Sequence, residues 1–289
     1  MGAAAWIVIS VAGAFPFFMV AHSLPVDVQG STSAVVFRQF SNSLFESVSG
    51  FTSTGLTMVL GREESLPACL QWWRSISQWV GGLGFISLVL MYVQPTYRSL
   101  IALETELADQ ESHTDPHKIT GHLWGIYAML TLAAIFALGM MDMTPWQALN
   151  YGLTGIATGG FGITNGSMGD FARSTQTLMM IIVILGAINF GLYERIYNKD
   201  FKAVRQDSQI IWYIPGLFVL FALLFIAHFL SRETNQDSAY ALSDVIFHGV
   251  SASASAGFST SPVSGFPASI VLVLIIAMII GGCKGSTAG

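Results

Sequence analysis

Six stretches of the chain are long, apolar and nearly free of charge: Ala3–Ala21, Ile76–Val93, Gly121–Met141, Ser174–Tyr193, Ile210–Leu230 and Ala268–Gly282. A bilayer core of about 30 Å takes roughly 17–25 helical residues to cross, and these stretches reach or approach that length. Charged residues make up 10% of the 289 positions, against about 25% in soluble domains. A soluble fold of this size has no interior large enough to hide so much apolar surface. An all-α integral membrane protein is the expected class. The first stretch lacks the basic n-region of a signal peptide and reads as a spanning helix. The net charge of −5 is spread mostly over connecting segments, which offers no nucleic-acid surface. Cys69 and Cys283 supply neither a disulfide framework nor a metal-ligand spacing.

Between the apolar stretches, one pattern recurs. FESVSGFTSTG ends at Gly55, LNYGLTGIATG ends at Gly159 and FHGVSASASAG ends at Gly257. Each window has a bulky apolar residue, then a polar one, then small and hydroxyl residues before the glycine. The glycines stand 104 and 98 residues apart, and Gly81-Gly82, Gly186 and Gly281-Gly282 follow them at offsets of 26, 27 and 24. Such a period marks repeated units. Each is expected to comprise a helix, a short half-membrane helix, a small-residue turn and a second helix with a central glycine.

The windows are too short to span and too uncharged for exposed loops. Re-entrant segments fit, since irregular backbone survives at membrane depth where protein buries it or it lines a wet cavity. Units of one helix count share one orientation, which implies quasi-cyclic packing about an axis. Arg195, Lys199, Lys202 and Arg205 crowd the second inter-unit linker and place it on the cytoplasmic side. The expected boundaries are a first unit over 1–95, a linker over 96–120, a second unit over 121–195, a linker over 196–208 and an incomplete third unit over 209–289.

A dehydrated cation needs oxygens to replace its water, and rings of backbone carbonyls can supply them. The turns Thr52-Ser53-Thr54-Gly55, Ile156-Ala157-Thr158-Gly159 and Ala254-Ser255-Ala256-Gly257 meet those demands. Small side chains let several segments approach one axis, and glycine takes the bend cheaply. A short helix aimed at the axis adds its negative C-terminal end. Potassium coordination is expected from the carbonyls of Thr54, Gly55, Thr158, Gly159, Ala256 and Gly257. Close helix packing through small residues is the competing explanation of any single window; three windows in register favour a filter.

SGFTSTG at Ser49–Gly55, WWRSISQWVGGLGF at Trp72–Phe85, TGGF at Thr158–Phe161, AGFST at Ala256–Thr260 and GGCKGSTAG at Gly281–Gly289 resemble the Trk/Ktr/HKT superfamily of potassium transporters, closest to its TrkH/TrkG branch. The resemblance covers essentially the whole chain. It implies tandem M1-P-M2 repeats around a pseudo-fourfold pore axis, three of them present here, and potassium uptake across a bacterial cytoplasmic (inner) membrane. A glycine in the first filter, here Gly55, goes with potassium in this superfamily, and a serine in plant relatives with sodium. The resemblance further implies a gate loop over Gly281, Gly282, Cys283, Lys284, Gly285, Ser286 and Thr287, a homodimer, and a cytosolic nucleotide-binding regulatory subunit of TrkA type. A fourth filter glycine is expected beyond residue 350, so the chain reads as part of a longer protein that would not conduct alone. A sodium-preferring or non-selective relative, and a non-conducting membrane scaffold, are the alternatives. An enzyme is not expected, since no nucleophile–base pair or metal cluster stands out, and no cofactor besides the transported ion is implied.

Glu46, Asn150 and His248 share one aligned position in the short helices and are expected to tether the turns by hydrogen bonds. Arg74 reads as an interfacial anchor. Lys284, in place of a small apolar residue, is either a tethered blocker of the pore or a side chain that snorkels to the cytoplasmic interface. The basic linker Arg195–Arg205 reads as a contact for the regulatory subunit or as a solvated loop. Pro116 breaks the spacing that His113 and His117 would need, with His122, to hold a metal. GGCKGST lacks the residue order of a phosphate-binding loop.

Overall fold

The computed structural model describes residues 2–25, 32–59, 61–84, 116–197, 199–234 and 240–288. Most of the first linker, and the end of the second apolar stretch beyond residue 84, lie outside the described residues. Helix α1 is Gly2–Ser23, α2 is Phe40–Phe51, and α3 covers residues 68–84. Then come α4 (Pro116–Gly139), α5 (Pro145–Ile156), α6 (Arg173–Ala187), α7 (Phe190–Tyr197) and α8 (Phe201–Arg205). Helices α9 (Ser208–Thr234), α10 (Leu242–Ser253) and α11 (Ala268–Ile280) complete the chain. There is no strand among the described residues.

The order long helix, short helix, turn, second helix occurs three times: α1-α2-α3, α4-α5-α6 and α9-α10-α11. Trp6–Ser23, Thr120–Gly139 and Ser208–Ser231 are long and apolar enough to cross a membrane. Helices α2, α5 and α10 have twelve residues each, about 18 Å at 1.5 Å per residue, and cannot cross. The starts of α5 and α10 follow from local chemistry. Thr144 caps α5 by accepting from the Gln147 amide at 3.3 Å, Gln147 Oε1 accepts from the Thr144 amide at 2.8 Å, and Pro145 opens the first turn. At α10, Asp244 accepts from the Ala241 amide at 3.0 Å.

Two of the expected spans are interrupted. The stretch Ser174–Tyr193 is two helices, α6 and α7, bent by 88°. The cause lies in the hydrogen bonds at the break. The carbonyls of Gly186 and Ala187 accept from the amides of Thr287 and Cys283, and the Phe190 amide donates to Gly285. The segment 281–288 thus occupies the partners that a continuous helix would use. The last stretch stops as α11 at Ile280, because Gly281 takes φ +68°, a left-handed conformation that glycine adopts without penalty.

Each unit has an apolar centre. Phe17, Phe37 and Leu70 pack together in the first, and Leu224, Phe266 and Ile270 in the third. The largest cluster joins units: Leu83 of α3 and Phe247 and Val250 of α10 pack with Tyr127, Tyr151 and Ile182 of the second. The other faces are apolar and exposed, with Met19 on α1, Phe136 on α4 and Phe218 on α9, the surface that lipid would cover.

The central glycines of the second helices share one position in the fold. A Cβ at Gly81 would collide with the carbonyl of Phe51, the last residue of α2, and one at Gly186 would lie 2.5 Å from the carbonyl oxygen of Ile156, the last residue of α5. Gly281 stands at the same distance from the start of its helix, and there the helix ends. We therefore expect Gly81→Ala to destabilise the protein by about 1–3 kcal/mol through overpacking. Gly125, with nothing within 4 Å of its missing Cβ, should gain up to about 1 kcal/mol as alanine. Thermal unfolding in detergent micelles would compare the two, and equal shifts would contradict the close approach.

Candidate functional site

The three turns repeat one backbone conformation. Thr52, Ala157 and Ala254 donate amides to Val48, Leu153 and Val250 at 2.9–3.2 Å. Ser53, Thr158 and Ser255 follow with φ 51°, 48° and 50°, and Gly55, Gly160 and Gly257 with φ 78°, 81° and 77°. These values correct the register of the second turn: the glycine equivalent to Gly55 and Gly257 is Gly160, one residue past Gly159. The turn is therefore Ala157-Thr158-Gly159-Gly160, and Ile156 is the last residue of α5. Two adjacent glycines make the alignment ambiguous by one. The aromatic after the glycine, Phe161 beside Phe258, carried the information that resolves it.

The same shift changes the tethering position. The residue of α5 equivalent to Glu46 and His248 is Tyr151, not Asn150. Glu46 accepts from Thr57 Oγ1 and the Met58 amide, each at 2.9 Å. The Tyr151 hydroxyl lies 2.8 Å from Thr164 Oγ1, and His248 Nε2 lies 3.2 Å from the Ser261 carbonyl. Each side chain reaches from the middle of its short helix to the chain leaving the turn. Asn150 links α5 to α3 instead, accepting from Ser75 Oγ at 2.7 Å.

The turns meet in sequence. A Cβ at Gly55 would collide with the carbonyl oxygen of Gly159, and one at Gly160 with that of Ala256. Gly159 and Ala256 are equivalent residues, so the step from first turn to second is the step from second to third. One repeated rotation relates them.

Arg74 is not an interfacial anchor. It is 1% exposed. Its Nε donates to Glu46 Oε1 at 2.8 Å, Nη1 to the Gly162 carbonyl at 2.9 Å and Nη2 to Thr57 Oγ1 at 3.3 Å, while the guanidinium lies 4.2 Å from the centre of the Phe161 ring. A buried guanidinium is tolerated when a carboxylate and carbonyls satisfy its donors. Arg74 and Glu46 thus join the exit of the first turn to that of the second. One helical turn further along α3, Gln78 is fully buried; its Nε2 donates to the Gly159 carbonyl at 2.5 Å, and its Oε1 accepts from the Phe161 amide at 3.1 Å. Nothing in its immediate sequence singled Gln78 out.

The segment 281–288 packs against the helix side of the second turn. Thr287 Oγ1 lies 2.8 Å from the Ile156 carbonyl, 2.9 Å from that of Gly186 and 3.3 Å from Thr158 Oγ1. Ser286 Oγ donates to Cys283 at 2.6 Å. Cys283, Ser286 and Thr287 are buried, and the Lys284 side chain is exposed. His122 faces Glu194, with Nδ1 3.8 Å from Oε1. His113 and the side chain of His117 lie outside the described residues.

Removing one partner of a buried ion pair typically costs about 3–5 kcal/mol, because the other charge stays buried. We expect Arg74→Met to destabilise by that amount, and Glu46→Gln in the same background to recover more than half of the loss. Thermal unfolding of both variants in detergent would check it; no recovery would mean that the loss came from packing alone.

A family model described as TrkH, cation transport protein, matches residues 3–289. The Trk system potassium uptake protein TrkI of Halomonas elongata is 32% identical over 256 residues, covering 86% of this chain and 51% of that protein. The Trk system potassium uptake protein TrkH of Vibrio parahaemolyticus is 29% identical over 299 residues, covering 98% and 57%. The crystal structure of the potassium transporter TrkH from Vibrio parahaemolyticus superimposes with a TM-score of 0.80 at 27% identity, covering 98% of this chain and 56% of that one. The chain spans little more than half the length of these relatives. Its sequence and its fold agree that it belongs to the TrkH family of cation transport proteins.

Proposed function

We propose that the chain forms the first three walls of a potassium-conducting pore that serves uptake across a bacterial cytoplasmic membrane. The observation that carries this reading is the repeated step between turns of one backbone conformation, with each glycine set against the carbonyl before the next. In the proposed filter, Thr52–Gly55, Ala157–Gly160 and Ala254–Gly257 face the ion, and the pairs Thr54/Gly55, Gly159/Gly160 and Ala256/Gly257 bear the coordinating carbonyls. Potassium comes from the names of the relatives and from a glycine at each bend. A sodium-preferring or non-selective pore of the same fold is the second reading. No cofactor is needed beyond the ion itself.

The segment Gly281–Thr287 is proposed as the gate. Beyond the Gly281 amide, which still donates to Ala277, it holds its place through partners on α6, α7 and the second turn, so it can leave by exchanging them. A homodimer and a nucleotide-binding regulatory subunit are proposed partners, the latter meeting Arg195, Lys199, Lys202 and Arg205 on α7, α8 and the turn between them.

Rubidium-86 uptake by cells whose growth at low potassium depends on the full-length protein tests the reading. Potassium should compete and sodium should not; equal competition would favour the second reading, and no uptake would leave a scaffold. Gly160→Ala, which places a Cβ at positive φ against the Ala256 carbonyl, should abolish uptake without removing the protein from the membrane. Lys284→Ala should raise leak flux if the ammonium blocks the closed pore, and unchanged flux would assign it to the interface.

A further inference from the structure

The second turn differs from its neighbours in having two adjacent glycines. Where the first and third place Thr54 and Ala256, it places Gly159. Two glycines in a row make a backbone softer than the others. Gly160 is explained by its positive φ and by the Ala256 carbonyl beside it. Gly159 has a different reason. A Cβ there would collide with the side-chain amide of Gln78. Residue 159 is therefore bare so that Gln78 can reach its carbonyl and, on the other side of Gly160, the Phe161 amide. Arg74, one turn earlier on the same face of α3, takes the carbonyl of Gly162. Four consecutive residues, 159–162, are held at three backbone atoms by one strip of α3.

The corresponding pair one step round lacks this arrangement. Val183 stands on α6 where Gln78 stands on α3, eleven residues after the residue preceding each helix, and Ala256 stands where Gly159 stands. Amide goes with glycine, and aliphatic goes with alanine. The substitution of one pair for the other is matched in size, so the difference is one of hydrogen bonding and not of bulk.

We propose that Gln78, seconded by Arg74, is a positioning residue for ion selectivity: it pins the peptide planes on both sides of Gly160 and keeps the Gly159 carbonyl from collapsing toward an ion smaller than potassium. The inference rests on the pore reading above. A pinned carbonyl cannot follow a small ion inward, so the spacing favours the larger one; an unpinned pair of glycines can. Gln78 acts through the backbone and does not itself touch the ion.

The test exchanges one pair for the other. The double variant Gln78→Val, Gly159→Ala reproduces the Val183/Ala256 pairing. Rubidium-86 uptake in the presence of graded sodium, together with the amount of protein in the membrane, is measured for the unaltered protein, this variant and Gln78→Glu, which keeps an acceptor for the Phe161 amide but loses the donor to Gly159. The double variant should accumulate normally, and both variants should lose roughly three- to tenfold in preference for rubidium over sodium, the scale of one buried hydrogen bond. A purely structural role predicts the reverse for the double variant, with packing restored and preference intact, and that result overturns the inference. Should the double variant not accumulate, the ratio for Gln78→Glu decides alone. An unaltered protein without preference would overturn the potassium-selective reading on which the inference rests, whereas preference unchanged in the variants beside a selective unaltered protein overturns only the role of Gln78.

Discussion

Inside a bilayer, a backbone amide or carbonyl that leaves helical geometry finds no water, and an unmet one costs several kcal/mol. The arrangement of this chain depends on that constraint. Each short helix ends in a turn whose first three amides fold back onto the carbonyls of the helix itself. Each then sends one polar side chain from mid-helix to the chain that leaves: a carboxylate, a phenol or an imidazole. Three chemically different groups make the same link between helix and exit, so the link does not depend on a particular charge. Glu46 is also held by Arg74 Nε, 2.8 Å from its Oε1.

The constraint also explains where the helices stop. Gly81, Gly186 and Gly281 occupy one position in their respective second helices. The first two let the helix pass close to the end of a short helix, and α6 then stops one residue after Gly186, at Ala187. At the third the helix ends, and the following residues bind the end of α6 through Cys283 and Thr287 and the start of α7 through Gly285. Two broken helices thus satisfy each other. The 88° bend at residues 187–190 and the irregular segment 281–288 are one feature seen from two chains of hydrogen bonds.

Much of this was legible in the sequence. Hydropathy marked the long helices, and the small-residue windows marked the turns, because both depend on local composition. The three-unit order followed from spacing. Register was harder: two consecutive glycines allow two alignments, and hydrogen bonds between residues far apart in the chain choose between them. That one-residue shift moved the tether from Asn150 to Tyr151. Arg74 was misread because an arginine near a helix start usually faces the interface, and its carboxylate partner is 28 residues away. Gln78 left no local signal, since its partners lie 81 and 83 residues further on. The break within Ser174–Tyr193 was hidden for the same reason: an apolar run looks like one helix until another segment takes its carbonyls.

The three turns are matched in backbone yet different in every supporting side chain, and all are carried by a single polypeptide. In a ring of identical subunits, one substitution strikes every side at once and its effects multiply. Here a substitution alters one side and leaves the others as they were. Glu46, Tyr151 and His248 can drift independently, as can the pairs Gln78/Gly159 and Val183/Ala256. A lining made this way can be retuned in small increments, and its sides can come to do different things: one held rigid to discriminate, another left free to yield.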